Sequence, residues 1–255
     1  AFSLFLLADL IGKGEMVNLT ESGYSDTNAK WVLGGKAMIW NSDRSGYRSH
    51  GSWGSESDTY IMFFDVDAYN RFTMSKEDLA LLEEAEKTEK EEKAKKEKEE
   101  KEKAEKKKDK KDAKTKDTKK EEDKKKEEVK PLTFDLENRF DRIVRLTVNS
   151  SRLSDAVLTP KGDVLYYLAA FEGDYDLWEH KLKENTTKIL LKGVGGGALI
   201  PDKEGKNIFM CTRSQLMKIE IAGSKVTPIE FEAFFDYRPY GERAYIFDHV
   251  YQQVN

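Results

Sequence analysis

The chain has 255 residues, a formal net charge of −4 and a charged fraction of 36%, well above the quarter usual for a globular protein. The excess is local: between Glu83 and Lys130, 21 of 48 residues are Lys and 19 are Asp or Glu, and the other 207 are about one quarter charged, enough for one domain with a sizeable core. The single cysteine excludes an internal disulfide framework, and no apolar run approaches the ~20 residues of a membrane-spanning helix.

The N-terminal segment "SLFLLADL" predicts a strand. It has no basic region of the kind that opens a secretory leader, and it runs through a Gly-Lys-Gly turn into a second strand, "EMVNLT". "AKWVLGGKAMIWNSD" predicts two strands around Gly34-Gly35, and "DTYIMFFDV" predicts another. Short apolar runs punctuated by Gly, Asn and Asp at this spacing indicate an antiparallel all-β architecture.

Ser75-Lys-Glu-Asp78 then opens a helix with a capping-box-like start. Leu79, Leu82 and Ala85 follow on one face, which can pack on the domain. Beyond Ala85 no apolar stripe continues. Lys/Glu alternation supports a solvated helix through i,i+4 pairs, expected to give way to disorder after the Lys-Asp-Ala-Lys-Thr-Lys region. The net charge of the run is only about +2, which argues against a nucleic-acid arm, because counterion release needs a net positive surface. Without apolar a and d positions it is not a coiled coil. The bland reading is a tolerated insertion at a sheet edge.

After the run, "PLTFDLENRFDRIVRLT" supplies the closing strands of the interrupted unit. "DAVLTPKGDVLYYLAAFEGDYDLWEHKLKENTTKILLKG" is strand, turn, strand, turn, strand, turn, strand, and "GALIPDKEGKNIFMCTRSQLMKIEIAGSKVTPIEFE" repeats it. Their turn glycines, Gly162 and Gly205, lie 43 residues apart, and the first unit matches at Gly35. Four strands per 40–45 residues mark a β-propeller; an ordinary β-sandwich is the alternative. The fold class is all-β: a partial β-propeller of about three four-stranded blades plus a preceding half, with a charged insertion and the start of a C-terminal helix. Propellers rarely close with fewer than four blades, so this is expected to be an arc of a longer protein. The expected domains are residues 1–74 and 131–238 for the blades, 75–130 for the insertion and 239–255 for a linker helix.

"SDRSGYRSHGSWGSESD", Ser42 to Asp58, raises the question of catalysis, with His50 as base and Ser49 or Ser52 as nucleophile. Sequence-adjacent Ser-His-Gly-Ser on a loop between neighbouring strands does not by itself place a triad with an oxyanion hole. The chain has no G-x-S-x-G elbow either. Arg44, Arg48, His50 and Trp53 are candidates for a substrate or interdomain contact, since propeller loops line faces and channel. The plainer alternative is that Arg and Asp here hold the loop's own shape. Cys211, in the run Ile208-Phe-Met-Cys211, is expected to be a packed strand residue. His180 alternates in "LWEHKL" and is expected to face solvent. No pair of histidines has metal spacing, so neither metal nor cofactor is expected. "GVGGGA" leads into a strand rather than a helix, which removes the dinucleotide-loop reading and leaves an interblade turn. In "GERAYIFDHVYQQVN", Ala244, Phe247, Val250, Tyr251 and Val254 recur at helical spacing.

"KWVLGGKAMIWNSDRSGYRSHGSWGSESDTYIMFFDVDAYNRFTMSKED", "DLENRFDRIVRLTVNSSRLSDAVLTPKGDVLYYLAAFEGDYDLW" and "ERAYIFDHVYQQVN" closely resemble tricorn-type serine peptidases, particularly exported bacterial homologues. The resemblance covers essentially the whole chain, and its most specific part is "SDRSGYRSHGSWGSESDTYIMFF". It implies the last part of a second propeller, followed in the family by a helical, a PDZ-like and a processing-peptidase-like domain. The family's serine nucleophile, histidine base and assisting Ser and Glu all fall beyond this chain, and neither His50 nor His249 takes the histidine's role. On the resemblance, the partners are peptide or unfolded polypeptide substrates and the parent chain's own PDZ-like and peptidase domains. Self-association is possible, and the compartment is periplasmic or otherwise exported. The alternatives are a stand-alone binding or scaffold propeller of the cell envelope, a complete enzyme centred on the 42–58 loop, and a cytoplasmic location.

Overall fold

The computed structural model describes residues 6–8, 16–52, 54–89, 134–213, 215–232, 234 and 236–254. A hairpin of β1 (Leu6–Ala8) and β2 (Met16–Asn18) precedes three four-stranded sheets. Sheet 1 holds β3 (Asp26–Val32), β4 (Ala37–Ser42), β5 (Asp58–Phe63) and β6 (Ile143–Arg145). Sheet 2 holds β7 (Arg152–Leu158), β8 (Val164–Ala170), β9 (Asp176–Lys181) and β10 (Thr186–Leu191). Sheet 3 holds β11 (Gly197–Pro201), β12 (Asn207–Thr212), β13 (Leu216–Glu220) and β14 (Lys225–Pro228). In each sheet every strand pairs antiparallel with the next in the chain. The sheets do not close on one another.

The strands of sheet 2 carry apolar residues on both faces, because this sheet lies between sheets 1 and 3. In β8, Leu165, Tyr167 and Ala169 pack toward Ile39, Ile61 and Phe63 of sheet 1. The intervening Tyr166 and Leu168 pack toward Leu199, Ile208, Met210 and Ile219 of sheet 3. The other face of sheet 1, with Met38, Trp40, Tyr60 and Met62, gathers Leu19 and Phe64. Each fully buried Leu- or Phe-sized side chain contributes roughly 1.5–3 kcal/mol, so these two-sided wedges hold the stack together.

The first strands of the three sheets are joined by one polar node. Lys30 of β3 donates to both carboxylate oxygens of Asp155 on β7 (2.6 Å each) and to the carbonyl of Leu199 on β11 (3.2 Å). Asp155 also accepts from the Leu199 amide (2.8 Å). Register shifts at Thr27/Lys30 and Leu153/Asp155 mark bulges in β3 and β7 beside this node.

The turn glycines behave as their spacing predicts. Gly162 and Gly205 have φ of +75° and +67°, a left-handed conformation that a Cβ disfavours. A Cβ on Gly205 would also lie 2.4 Å from Cγ of Pro160.

Several expectations need correction. β5 ends at Phe63, not Val66. Asp65 instead caps a helix, α1 (Val66–Thr73), by accepting from the Ala68 amide at 2.8 Å. Residues 134–147 supply one short strand, β6, rather than several. Helix α2, residues 76–89, starts at the predicted Ser75–Asp78 cap, with the Asp78 amide donating to Ser75 Oγ at 3.1 Å. Leu79 and Leu82 are half-buried, but Ala85 is exposed. The disorder expected further along the charged run lies outside the described residues. The returning chain is tied back at the point of departure. The Asp135 amide donates to Phe64 O (2.9 Å), and Arg142 donates to the carbonyls of Phe63, Asp135 and Glu137. Helix α3 (Pro239–Val254) is exposed along its length, Tyr240, Phe247, Tyr251 and Val254 included.

Candidate functional site: the β4–β5 loop

Ser42 and Asp58 are paired across β4 and β5, so residues 43–57 form one excursion from a sheet end. The loop is a small hairpin of its own. Arg48 and Ser55 form an antiparallel bridge, the Glu56 amide donates to Tyr47 O (2.9 Å), and the Ser49 amide donates to Gly54 O (3.1 Å). Gly51, at φ +74°, turns the tip. Gly46 admits no side chain, since a Cβ there would sit 1.9 Å from Glu56 O.

Three buried carboxylates anchor the base. Asp26, at 0% exposure, accepts from Trp40 Nε1 (3.2 Å), Ser22 Oγ (2.6 Å) and Arg44 (3.5 Å). Asp43 accepts from the Ser25 amide (2.9 Å), Arg48 (2.9 Å) and Ser55 Oγ (3.0 Å). Burial of the Asp43 carboxyl works to raise its pKa. The Ser25 amide, the Ser55 hydroxyl and the Arg48 guanidinium together outweigh it and hold the group below the usual aspartate value. Asp58, also at 0% exposure, accepts from Arg145 (2.7 Å), Thr147 (2.8 Å) and Ser150 (2.7 Å).

These contacts sort the four sequence candidates. Arg44 is built into the scaffold, its guanidinium 5.3 Å from the Trp40 ring centre and 4.9 Å from that of Tyr60. Arg48 is half scaffold and half surface: it pairs with Asp43 and lies 5.0 Å over the Tyr24 ring, yet its side chain is 51% exposed. His50 is exposed and bonds none of the described residues. Trp53 lies outside the described residues. The Ser49 hydroxyl donates to Gly54 O (3.2 Å), so no Ser49–His50 couple is formed. Tyr47, which the sequence reading passed over, is 71% exposed beside Arg48. Its place between the tight Gly46 and the charged Arg48 was the available signal. The loop can present an aromatic ring, a guanidinium edge and an imidazole on a rigid base.

Two other residues depart from expectation. His180 is 4% exposed, not solvent-facing: it sits on the face of β9 turned to sheet 1, and its Nδ1 lies 2.7 Å from Thr187 Oγ1. Burial lowers its pKa against a weaker opposing contact with the Thr186 backbone. Cys211 is on a strand as expected, but exposed rather than packed, on the face of β12 that carries Phe209. The 193–196 segment is the turn between sheets 2 and 3, with Gly193 and Gly195 at positive φ. Among the described residues no three His, Cys, Asp or Glu side chains converge as metal ligands. No helix among them is long and apolar enough to cross a membrane.

Successive four-stranded antiparallel meanders, stacked face to face with their first strands drawn together, are the blades of a β-propeller. The tricorn protease crystal structure aligns with TM-score 0.50 and 8% identity over 88% of this chain and 19% of that one. TolB from Acinetobacter baumannii aligns with TM-score 0.46 and 10% identity over 91% of this chain and 39% of that one. The chain thus spans less than half of either neighbour, and the likeness to the tricorn protease is one of fold. No family model and no curated protein sequence matches it.

Proposed function

We propose that the chain is a non-catalytic β-propeller region of a tricorn-like serine peptidase, guiding or gating peptide substrates in proteolysis. The observation that carries this reading is the β4–β5 loop. The Ser45, Ser49, Ser55 and Arg44 side chains are engaged within the loop and its base, while Tyr47 and His50 stand at the surface beside Arg48, which pairs with Asp43 and is half exposed. That is the construction of a contact surface, not of a nucleophile and its base. The segment "SDRSGYRSHGSWGSESDTYIMFF", which resembles the tricorn type most specifically, is this same loop and its following strand. The fold likeness to the tricorn protease agrees with it.

On this reading residues 1–74 and 131–238 are blades, 75–130 an insertion, and 239–255 a linker helix toward PDZ-like and peptidase domains of the parent chain. Arg48, His50 and Trp53 touch substrate or a neighbouring domain, and Arg44 supports them. The parent is exported in a bacterium, acts on peptides or unfolded polypeptides, and is free to self-associate.

The first test is the coding frame past Asn255, checked by the intact mass of the native protein. A frame continuing into a PDZ-like segment and a serine peptidase domain supports the reading. A native mass near 29.3 kDa overturns it in favour of a binding propeller. In the full-length protein, Arg48→Ala with His50→Ala should slow cleavage of long peptides more than of small chromogenic ones. Equal loss on both, or loss on neither, argues against a guiding role.

A further inference from the structure

Helix α1 departs from the end of β5 and belongs to sheet 1. Phe63 of β5 packs against Tyr69 and Phe72 of α1, with ring centres 5.6 and 5.0 Å apart. The last carbonyls of a helix have no partner within it. Here they are taken by sheet 2. Lys183, on the turn between β9 and β10, donates to Phe72 O (2.6 Å), Met74 O (2.6 Å) and Arg71 O (3.3 Å). A cation at this end of a helix also opposes the negative pole of its dipole. The amine lies 5.8 Å from the Phe72 ring centre. The next residue of the same turn continues the attachment, since Glu184 accepts from Lys76 at the start of α2 (3.1 Å). Arg71 pairs with Glu86 one turn before the described part of α2 ends. Beneath the corner, a cavity of about 540 Å³ is bounded by Phe72, Leu79, Leu33 and the 160–163 turn of sheet 2.

We propose that the α1–α2 corner is a strap fastened across the turns at one end of sheets 1 and 2, with Lys183 as its fastening. The strap fixes the direction in which the Lys/Glu-rich insertion leaves the body. The insertion belongs to sheet 1 by chain order, but sheet 2 aims it. Lys183 is a positioning residue: it binds carbonyls rather than carboxylates, so salt should loosen the Lys76–Glu184 pair and leave the fastening intact.

The test is hydrogen exchange, read by mass spectrometry, on the whole 255-residue chain. Lys183→Met keeps the aliphatic stem and removes the donor. It should speed exchange of residues 66–82 roughly tenfold or more, the loss expected for charge-assisted bonds to carbonyls, and leave β7 and β8 unchanged. Lys183→Arg, which still donates, should restore most of the protection. Lys192→Met, which alters an exposed lysine just past the other end of β10, should change nothing. If Lys183→Met lowers the stability of the whole chain, the exchange of 66–82 relative to β8 in the same molecule remains the readout. Unchanged exchange of 66–82 in Lys183→Met overturns the proposal. So does a rise shared equally by β7 and β8, which would make Lys183 a general core residue.

Discussion

Lys30 and Asp155 meet at 2.6 Å across the first strands of two sheets, and the same carboxylate receives the Leu199 amide of a third. One carboxylate therefore registers three blades. Asp155→Ala would strand two buried amides and leave the Lys30 ammonium with only the Ala156 and Leu199 carbonyls. It should cost about 2–4 kcal/mol, the range for unpairing buried polar groups. Lys30→Met should cost less, because the lysine is partly exposed and the amides keep their acceptor. Urea unfolding of both variants checks the order. A change below about 0.5 kcal/mol for Asp155→Ala would put it among ordinary surface substitutions and refute the registering role.

Gly205→Ala should destabilise by roughly 1–3 kcal/mol, because it adds left-handed strain and an overlap with the Pro160 ring. Gly223→Ala, in a turn of the same sheet, meets nothing within 4 Å and should be near neutral. Comparing the two melting temperatures separates position from residue type. Equal shifts would contradict the packing of Gly205 on Pro160.

The loop base should show in the acid limb of stability. The Asp43 pKa is lowered in the fold, so its contribution is complete above the unfolded value of about 3.8. It is lost as pH falls through that value toward the lower folded one. In Asp43→Asn this contribution is absent at every pH. Its stability should therefore lie below that of the wild type at neutral pH and converge on it in acid. Thermal melts between about pH 6 and pH 2 test this; a constant gap between the two curves would exclude it.

Alkaline titration should reveal the two-sided burial of β8. Burial pushes the hydroxyls of both Tyr166 and Tyr167 up to about 12, and at Tyr166 the nearby Glu179 adds to the effect. The stability these neutral phenols contribute is complete below the ordinary tyrosine value near 10 and is lost as pH rises toward 12. The native chain should show a late tyrosinate absorbance step that urea abolishes, and each Tyr→Phe change should remove about half of it. A single step near the ordinary value would contradict the burial.

The blade count, the strand order and the turns at Gly162 and Gly205 were legible because they rest on local chemistry. Turn glycines and alternating apolar residues recur at a fixed spacing, and each needs only its own neighbours to act. Helix α1 was not legible. The sequence reads as strand through Val66 and gives residues 67–73 no element; Asp65, accepting from the Ala68 amide, caps the helix that follows β5 instead. Of the loop, the sequence offered Arg44, Arg48 and His50 as equals. The partners that separate them are Asp26 and Asp43, whose roles depend on the fold bringing 22–26 against the base of 43–48.

The errors at His180 and Cys211 are opposite and have one cause. Both lie on strands whose period-two alternation the sequence determines by itself. Alternation says which residues share a face; it does not say whether that face meets water. Sheet 2 is covered on both sides, so His180 is buried against sheet 1. Sheet 3 is covered by sheet 2 on one side, while Ile200, Phe209 and Cys211 on the other stay accessible. The sequence determined the strands, their turns and their two faces. The stacking of neighbouring sheets, a long-range packing choice, alone decided which faces became core.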